Sequence, residues 1–419
     1  MKDKINFLVI AFLFLSLAPA KAQQLATFQV RLDQRYHAEL AIPVQVNLDA
    51  VTYVPDSLLQ LVEVRGRERR PVPFQIEKNG HRTLHWILDP LSGKSRKVTY
   101  VLEKGQAAAR QPGGVEVEMQ DGFLTVRSKE KNLLRYQYQT LEPPAGISPY
   151  FKRSGFIHPL WSPHGQELTR ISPPDHYHHF GLWNPWTKVQ FEGETVDFWN
   201  LGAKQGTVRF ANFLSVSDGP VYGDYKALHE HVVFKKNGSE KTALNEVQSV
   251  RVFRPAANQD YYLADITIQL NCASASPVTL KEYRYGGLGW RATEKWHKDN
   301  SHVLTSEGKA RPESDGSTAR WVLVQGAIDQ DQAGMVMMSF PTNYNYPEPL
   351  RVWPENSNKR GDMFVNFSPT KDKDWPLKAG QDYLLRYRLL VFNGDFAKEK
   401  AESAWQAFAH PPKIEIKIN

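Results

Sequence analysis

Short runs of alternating apolar and polar residues recur along most of the chain. Residues 26–32, 98–102, 207–211 and 262–270 have this pattern, and residues 383–392 repeat it close to the C-terminus. A period of two is typical of a strand with one face buried and the other in solvent. The pattern therefore predicts a protein built almost entirely from strands.

Turn-forming pairs separate these runs. Asn-Gly or Asp-Gly stands at residues 79–80, 121–122, 237–238 and 393–394, and both pairs favour the tight turns of β-hairpins. A helical period extends only over residues 395–408, where the apolar side chains fall on one face. We expect an all-β fold, in which a small β-sandwich module precedes a large antiparallel β-sandwich or supersandwich, with a short C-terminal helix.

The pattern weakens between residues 105 and 114, which end in Pro-Gly-Gly. Because weakly patterned, turn-rich stretches favour domain boundaries, we expect two modules. Residues 23–110 are predicted to form the small β-sandwich, and residues 111–419 the large β-sandwich that carries the candidate site. A chain of this length is long enough for more than one core.

The first 22 residues have the features of a secretory signal peptide. Lys2 and Lys4 give a basic start, residues 5–17 are apolar, and residues 20–22 form a small-residue cleavage site. This apolar run is too short for a membrane span, and no later stretch reaches about 20 apolar residues. We expect residues 1–22 to be removed and the protein to be exported to the periplasm or the extracellular space.

Composition narrows the classes of function. The net charge is +7 and the basic residues are scattered, which gives no case for a nucleic-acid partner. Cys272 is the only cysteine, so an intrachain disulfide is excluded. Aromatic residues make up 12% of the chain, and this share fits a β-rich secreted protein that acts on carbohydrate. A sugar or oligosaccharide is therefore the expected partner.

The residues that could carry chemistry concentrate in one segment. The run His-Tyr-His-His at residues 176–179 follows Asp175, and five of the thirteen histidines fall between residues 158 and 179. Imidazoles titrate near neutral pH and also bind metals. Seven prolines between residues 143 and 174 predict an irregular loop, and ordered loops on a β scaffold commonly carry functional sites.

Two chemistries suit these side chains. Without a metal, we expect His176, His178 and His179 to act as acid, base or substrate-binding groups, with Asp175 as their orienting partner. With a metal, His176 and His178, joined by His164, are the candidate ligands of a divalent ion, and no other cofactor is expected. On an extended backbone, His176 and His178 would share one face and His179 would take the other. A third interpretation is structural, in which hydrogen-bonded histidines only hold the loop.

Aromatic and charged residues elsewhere are expected to contribute to the site. Asp197 is interpreted either as a catalytic carboxylate in the pocket or as the cap of a turn. Indole rings offer flat apolar surfaces with a polar edge, which suits contact with a sugar ring. The predicted substrate-binding residues are Trp183, Trp199, Arg170, Tyr150, Lys152, Arg291 and Trp353.

A second pair of histidines stands at His229 and His231. On a strand these two residues share a face, so an ordinary strand pair is the favoured interpretation. The alternative is that they join the first cluster across the sheet. Glu246 follows in the next strand-like run, and it is expected at the surface at least as readily as in the cleft.

The segment from residue 148 to residue 199 resembles a bacterial family that carries the label methane oxygenase PmoA-like. The hallmark of that family is Asp-His-x-His-His-x-Gly-x-Trp followed by Asp-Phe-Trp, and this chain has both, at residues 175–183 and 197–199. The resemblance covers roughly residues 115–400. Tyr177 and Phe180 stand where the family pattern has Pro and Arg, so an anionic substrate group is not expected at that point.

The resemblance implies a secreted β-sandwich related to galactose-mutarotase-like proteins, which occur among bacterial sugar-processing enzymes. Methane oxidation is not implied, because the methane-oxidising subunit is an integral membrane protein and this chain has no run of about 20 apolar residues. Carried over by position, the resemblance implies a site made of Asp175, His176, His178 and His179, with Trp183, Asp197 and Trp199 beside them.

The sequence thus favours an exported carbohydrate-active enzyme whose histidines perform acid/base chemistry on a sugar or oligosaccharide. Lyase, epimerase and glycosidase reactions all stay open. Two carboxylates about 5 Å or about 6.5–9.5 Å apart would favour glycoside hydrolysis, and without them proton abstraction beside a sugar carbonyl or uronate is favoured. The alternatives are a non-catalytic glycan-binding protein, and a metal-dependent enzyme that uses the histidines as ligands.

Overall fold

The computed structural model describes the chain from residue 23 onward, in the ranges 23–36, 39–91, 96–105, 114–255 and 260–419. The predicted signal peptide and the residues around the predicted module boundary lie outside these ranges. The described chain consists mainly of antiparallel strands, with few helical segments. This confirms the predicted all-β fold with a short C-terminal helix.

Two sheets form the small module at the N-terminal end. Its strands are β1 (Gln23–Arg31), β2 (Ile42–Asn47), β3 (Leu59–Arg65), β4 (Glu68–Pro71), β5 (Phe74–Asn79), β6 (His81–Leu88) and β7 (Lys97–Lys104). One sheet has the order β1–β7–β3–β4 and the other the order β2–β6–β5. Alternate side chains of both sheets meet in a core centred on Phe28, Trp86 and Tyr100.

The large module contains the next twenty strands. The first ten are β8 (Val115–Gln120), β9 (Phe123–Ser128), β10 (Lys131–Gln137), β11 (Phe156–Leu160), β12 (Leu182–Trp183), β13 (Val189–Phe191), β14 (Glu194–Val196), β15 (Gly206–Ser217), β16 (Tyr222–Phe234) and β17 (Glu240–Phe253). The other ten are β18 (Tyr261–Cys272), β19 (Val278–Leu280), β20 (Gly289–Arg291), β21 (Ser301–Thr305), β22 (Trp321–Ile328), β23 (Asp331–Ser339), β24 (Leu350–Val352), β25 (Phe364–Phe367), β26 (Trp375–Leu377) and β27 (Tyr383–Asn393).

These strands form two eight-stranded sheets and one small sheet. The first large sheet has the order β24–β25–β20–β12–β11–β10–β9–β8, and the second has the order β15–β16–β17–β18–β27–β23–β22–β21. Strands β14–β13–β19–β26 form the small sheet. The helices are α1 (Arg311–Ser314) and α2 (Lys398–Ala409), with 3-10 turns at Asp56–Leu58, Pro149–Phe151 and Leu201–Ala203.

The main core lies between the two eight-stranded sheets. Strand β18 illustrates why the period of two produces it, since Tyr262, Ile266 and Ile268 point into this core. The alternate residues Tyr261 and Leu263 belong to a second core on the outer face of the same sheet. Helix α2 and part of the small module cover that outer face. Both faces of this sheet are therefore buried over part of its length.

The last strand, β28 (Lys413–Ile418), belongs to the small module. It pairs antiparallel with β1, with Phe28 opposite Ile416 and Ala26 opposite Ile418. This differs from the prediction that residues 111–419 form one module, because the chain returns to its N-terminal sheet after α2. Edge pairing of this kind joins residues nearly 400 positions apart, and no local pattern reports it.

The candidate histidine segment lies in the long connection between β11 and β12. Strand β12 pairs with β11 and with β20, so this connection starts and ends in the middle of the first large sheet. The sheet therefore supplies a rigid base for an otherwise irregular loop. Among the described residues, no helix is both long enough and apolar enough to cross a bilayer.

Candidate functional site

A closed loop brings the three histidines together. Its two arms meet at a bridge between Ile171 and Phe180. Inside the loop, the N–H of Ser172 donates to the carbonyl of His179 (2.8 Å), and the N–H of His179 donates to the carbonyl of His176 (3.0 Å). These bonds bend the segment into turns, so the extended backbone with rings on opposite faces is not observed. The imidazoles converge instead.

The ring nitrogens of His176, His178 and His179 that could act as ligands all lie within 4.8 Å of one another. Ring centroids are 4.7 Å apart for His176 and His179, and 4.9 Å apart for His178 and His179. In the part of the chain that the structure describes, this is the one group of three or more His, Cys, Asp or Glu side chains placed closely enough to hold a metal.

The buried ring of His179 has an unpaired nitrogen. His179 is 1% exposed, and its Nδ1 has no hydrogen-bond partner among the described residues. Leaving a buried polar atom without a partner costs about 1–3 kcal/mol, so such atoms mark places where a water, an ion or a ligand is held. The unpaired nitrogen lies in the same cluster as the other two rings.

Electrostatics keep two of the rings neutral. The pKa of His178 is lowered to about 4, first by burial and then by the charges of His176 and Arg153. Burial likewise lowers the pKa of His179 well below its usual value. Neutral imidazole is the form that binds metals. Because both pKa values lie far below 7, neither ring is a good proton donor at neutral pH, so the predicted acid role is not favoured for these two residues.

Asp175 holds the third ring in place. Its Oδ2 accepts hydrogen bonds from His176 Nδ1 (2.7 Å), Arg291 Nη2 (2.9 Å) and Asn358 Nδ2 (2.8 Å). Burial raises the pKa of Asp175, but the bond from His176 and the charge of Arg291 outweigh it, so the pKa lies below its usual value. The carboxylate is therefore ionised and orients His176, which leaves Nε2 of that ring for a ligand.

Arg291 and Trp353 are buried beside the cluster. Arg291 is 1% exposed, and its Nη2 also donates to Asp362 at 2.8 Å. Its guanidinium lies 4.6 Å from the ring centroid of Trp353, and that ring is 4.7 Å from His176. Both residues were predicted to contact substrate. Because both are buried, the structure gives them a supporting position instead.

Two further tryptophans, Trp183 and Trp199, lie close to His179. Trp183 lies 5.2 Å from His179 and 5.2 Å from Trp199, measured between ring centroids. Their exposed fractions are 0% and 2%, so their faces are covered by protein. The stacking of a sugar on Trp183 and Trp199, expected from the sequence, therefore does not fit this geometry. These indoles pack against the imidazoles and restrict their rotation.

Asp197 caps a turn. Its carboxylate accepts hydrogen bonds from the backbone N–H groups of Trp199 and Asn200, both at 2.8 Å, and from the Asn200 side chain at 2.7 Å. Of the two interpretations of Asp197, the structure supports the cap rather than the catalytic carboxylate. Burial raises its pKa, although these hydrogen bonds oppose the shift.

His164 and Arg170 line a different hollow, together with Pro173 and Pro174. His164 Nδ1 bonds Asp331 at 2.7 Å, and its Nε2 faces Asp260 at 3.2 Å. His164 is not part of the histidine cluster, which corrects its prediction as a metal ligand. Arg170 forms an ion pair with Glu294 at 3.1 Å in the same hollow.

Tyr150 and Lys152 are exposed and line an open groove. Between them, the ring of Phe151 lies 5.9 Å from the ring of Tyr177. The structure therefore keeps these two predicted substrate-binding residues accessible. They stand beside the cluster rather than within it.

The second histidine pair forms a buried network within the second large sheet. His229 Nδ1 and His231 Nε2 bond the two carboxylate oxygens of Glu246 at 3.1 and 2.9 Å. Tyr136 Oη bonds the other nitrogen of His229 at 2.6 Å, and Asn184 donates to Glu246 at 2.9 Å. The surface placement considered for Glu246 is wrong, since this residue is 1% exposed. The alternation of β17 places it on the inner face, which was the available signal.

Sequence reasoning also missed Asn358 and Asp362, which share the interactions of Asp175. Asn358 Nδ2 donates to Asp175 and, at 2.9 Å, to Asp362. Both residues lie in the turn region that follows β24, almost two hundred positions from the histidines. Their sequence context contains no motif that links them to the loop.

The donor set fits a divalent metal ion. Three converging imidazoles, of which two are held neutral by burial, match the nitrogen ligands that zinc and similar ions prefer, and a carboxylate hydrogen-bonded to a ligating imidazole is the usual supporting group. His176 retains 31% side-chain exposure, so the cluster is open to solvent at this ring. An ion there would keep a coordination position for water or substrate.

Comparison with known proteins places the chain in a family. None of the curated proteins compared matches it. One solved structure that it resembles is the crystal structure of heparan sulfate lyase HepC from Pedobacter heparinus, at 10% identity and a TM-score of 0.31, covering 70% of this chain and 38% of that one. The chain thus spans well under half the length of that structure. The model of a family of unknown function (DUF6807) matches residues 124–406, and the chain belongs to that family.

Proposed function

We propose that this protein is a metal-dependent, carbohydrate-active enzyme whose divalent ion is held by His176, His178 and His179. The observation that carries the proposal is the convergence of three imidazoles, whose candidate ligand nitrogens lie within 4.8 Å of one another. The Nδ1 of His179 is also buried without a hydrogen-bond partner among the described residues. Because converging imidazoles are a preferred donor set of divalent ions, the metal-dependent alternative ranks above the metal-free one.

The surrounding residues support the ion in two ways. Burial keeps His178 and His179 neutral, so neither has to lose a proton before ligation. The Asp175 carboxylate accepts from Nδ1 of His176 and so sets its tautomer. Arg291 forms an ion pair with Asp175, and the Trp353 ring packs against the Arg291 guanidinium.

The reaction class follows from the carboxylates near the cluster. A bound divalent ion polarises a carbonyl or hydroxyl group and so eases the loss of a neighbouring proton. Asp175 and Asp362 both bond Arg291, so neither is placed as a free acid beside a free base. Two independent carboxylates are what ordinary glycoside hydrolysis requires. We therefore favour proton abstraction beside a sugar carbonyl or uronate, as in a lyase or epimerase.

Location and ancestry complete the proposal. The features of residues 1–22 support export to the periplasm or the extracellular space. The Asp-His-x-His-His hallmark supports a relation to the PmoA-like family, and through it to galactose-mutarotase-like sandwiches. Sugars as the substrate class rest on these two expectations together with the open groove that Tyr150 and Lys152 line.

Metal content tests the site directly. We expect about one divalent ion per chain in protein purified without chelators, and loss of that ion in His178→Gln. His81→Gln is the matched control, because His81 is exposed on β6 and lies outside the cluster. Equal metal content in wild type and His178→Gln, or none in either after incubation with zinc, would remove the proposal.

Turnover on a panel of oligosaccharides tests the activity. We expect product formation that stops when a chelator removes the ion and returns when the metal is restored. Turnover that survives chelation would return the assignment to metal-free acid/base catalysis. Binding without turnover on the whole panel, by protein loaded with metal, would favour a glycan-binding protein.

A further inference from the structure

An open groove of about 960 Å³ lies between the segment 149–152 and residues of strands β14 to β17. Its size falls within the range of roughly 300–1,000 Å³ that is usual for ligand sites. Four lysines line it, together with Tyr150 and Phe234: they are Lys152, Lys204, Lys235 and Lys236. The groove is thus basic and partly aromatic, although the chain as a whole has scattered charges.

Most of this positive charge is not neutralised by the protein. Glu194 and Glu240 also line the groove, but Glu240 pairs with Arg209 at 2.7 Å, and Glu194 faces Lys235 at 3.7 Å. Lys152, Lys204 and Lys236 are exposed, and none of the three has an ion pair within the described residues. A concave surface with unpaired like charges attracts a ligand of opposite sign.

One wall offers an aromatic surface. Tyr150 is 43% exposed, and its ring meets the edge of Phe234 at a centroid distance of 6.2 Å. The ammonium group of Lys204 lies 5.1 Å from the Tyr150 ring, so the cation and the apolar surface stand side by side. A sugar that carries negative groups is complementary to this wall, because its flat apolar face can lie on the ring while its anionic group meets the ammonium group.

An aromatic contact links the edge of the groove to the histidine loop. Tyr150 and Lys152 flank Phe151, whose ring lies 5.9 Å from the ring of Tyr177, and Tyr177 stands between two histidines of the cluster. Residues 176–179 do not line the groove itself. Phe180 is buried and is not among the residues that line the groove, so the lack of a cation at that position does not oppose an anionic ligand here.

We propose that this groove binds an anionic oligosaccharide, with uronate carboxylates or sulfate esters at Lys152, Lys204 and Lys236 and a sugar ring against Tyr150. The inference rests on the proposed function, because it takes the ligand of this groove to be the sugar on which the histidine site acts. Binding in the groove is through ionic and apolar contacts and forms no covalent bond.

Binding is measured by calorimetry with hexamers of galacturonic acid, a sulfated galactan and neutral β-1,4-linked glucose, at low and high salt. We expect the anionic probes to bind, and their affinity to fall with salt as the exposed lysines are screened. Lys152→Glu with Lys236→Glu should weaken the binding of the anionic probes at least about tenfold. Lys131→Glu with Lys417→Glu is the control of equal charge on exposed residues outside the groove.

The outcomes separate this inference from the proposed function. Binding of one anionic probe alone would identify the charged group and support the inference. Equal binding of the neutral hexamer, equal binding of single-stranded DNA, or no effect of the groove substitutions beyond that of the control would overturn it. Metal content, measured on the same samples, reports on the histidine cluster, so the groove proposal can fail while the metal proposal stands.

Discussion

Two groups of histidines lie in the large module, and they differ in what surrounds their ring nitrogens. On the sheet, His229 and His231 both bond Glu246, so three of their four nitrogens have protein partners once Tyr136 is counted. In the loop, His178 and His179 bond no carboxylate, and their nitrogens converge on one point. The fourth nitrogen of the sheet group, Nδ1 of His231, is buried without a partner among the described residues, as is Nδ1 of His179 in the loop. The two groups therefore differ in the carboxylate that links the sheet rings, and not in the presence of an unpaired nitrogen. Histidine content alone does not distinguish the two.

The carboxylates of the two histidine groups, Glu246 and Asp175, also differ in their partners. Burial raises the pKa of Glu246, but bonds from His229 and His231 outweigh burial and hold the pKa far below its usual value. The buried guanidinium of Arg153 also attracts Glu246 electrostatically. Of the three loop histidines, Asp175 bonds only His176, and no carboxylate among the described residues bonds the other two rings. Glu246 bonds both rings of the sheet group, whereas Asp175 orients only the His176 ring of the loop group.

The largest effect is expected from breaking the sheet group. Glu246→Gln removes the carboxylate that bonds His229 and His231 and attracts the buried guanidinium of Arg153. Loss of one member of a buried charge pair typically costs about 3–5 kcal/mol. The free energy of unfolding, measured in urea, should fall by this order. Glu230→Gln is the matched control, because Glu230 lies on the same strand as His229 but forms a half-exposed pair with Arg209, so it should cost less than about 1 kcal/mol. Equal losses would mean that Glu246 is not the centre of a charged network.

A buried carboxylate without a cationic partner sharpens the comparison. Glu348 accepts from Ser339, Asn343 and Tyr387, all neutral, and burial raises its pKa to about 7. A raised folded-state pKa means that its contribution to stability is complete below pH 4.5 and is lost as pH rises through about 7.

Relative to Glu348→Gln, the wild type should lose about 3 kcal/mol of unfolding free energy between pH 4.5 and pH 8. Urea unfolding at a series of pH values measures this difference. A difference that does not change with pH would show that Glu348 titrates in the folded state as it does in the unfolded chain.

The smallest effect is expected at the edge of the loop group. Asp175→Asn keeps the size of the side chain but removes the charge that orients His176, and loss of such a supporting carboxylate typically weakens metal binding about 10–100-fold. Competition with a chelator of known affinity measures the change. Asn358→Ala, which removes a neutral donor to the same oxygen, should have a smaller effect. Unchanged affinity in Asp175→Asn would place Asp175 outside the metal site.

Sequence reasoning reached the fold class and selected the segment in which three histidines converge. The period of two in β18 and β27 and the helical face of α2 are local properties, so they can be read without knowing which strands pair. The density of histidine and proline around Asp175 likewise marked the loop. What failed were roles that depend on burial, such as the sugar-stacking expected of Trp183 and Trp199, because composition does not tell which face of a ring is covered.

The amino-acid sequence by itself determined that the chain forms strands with buried faces and that its histidines meet in a loop region. Only the tertiary structure decided that three imidazoles converge and that Glu246 lies inside the sandwich. It also decided that β28 pairs with β1 at the edge of the N-terminal sheet. The physical reason is the distance along the chain over which each effect acts. Strand period and turn chemistry act over a few residues, whereas ring convergence, burial and pairing depend on the register of strands far apart in the chain.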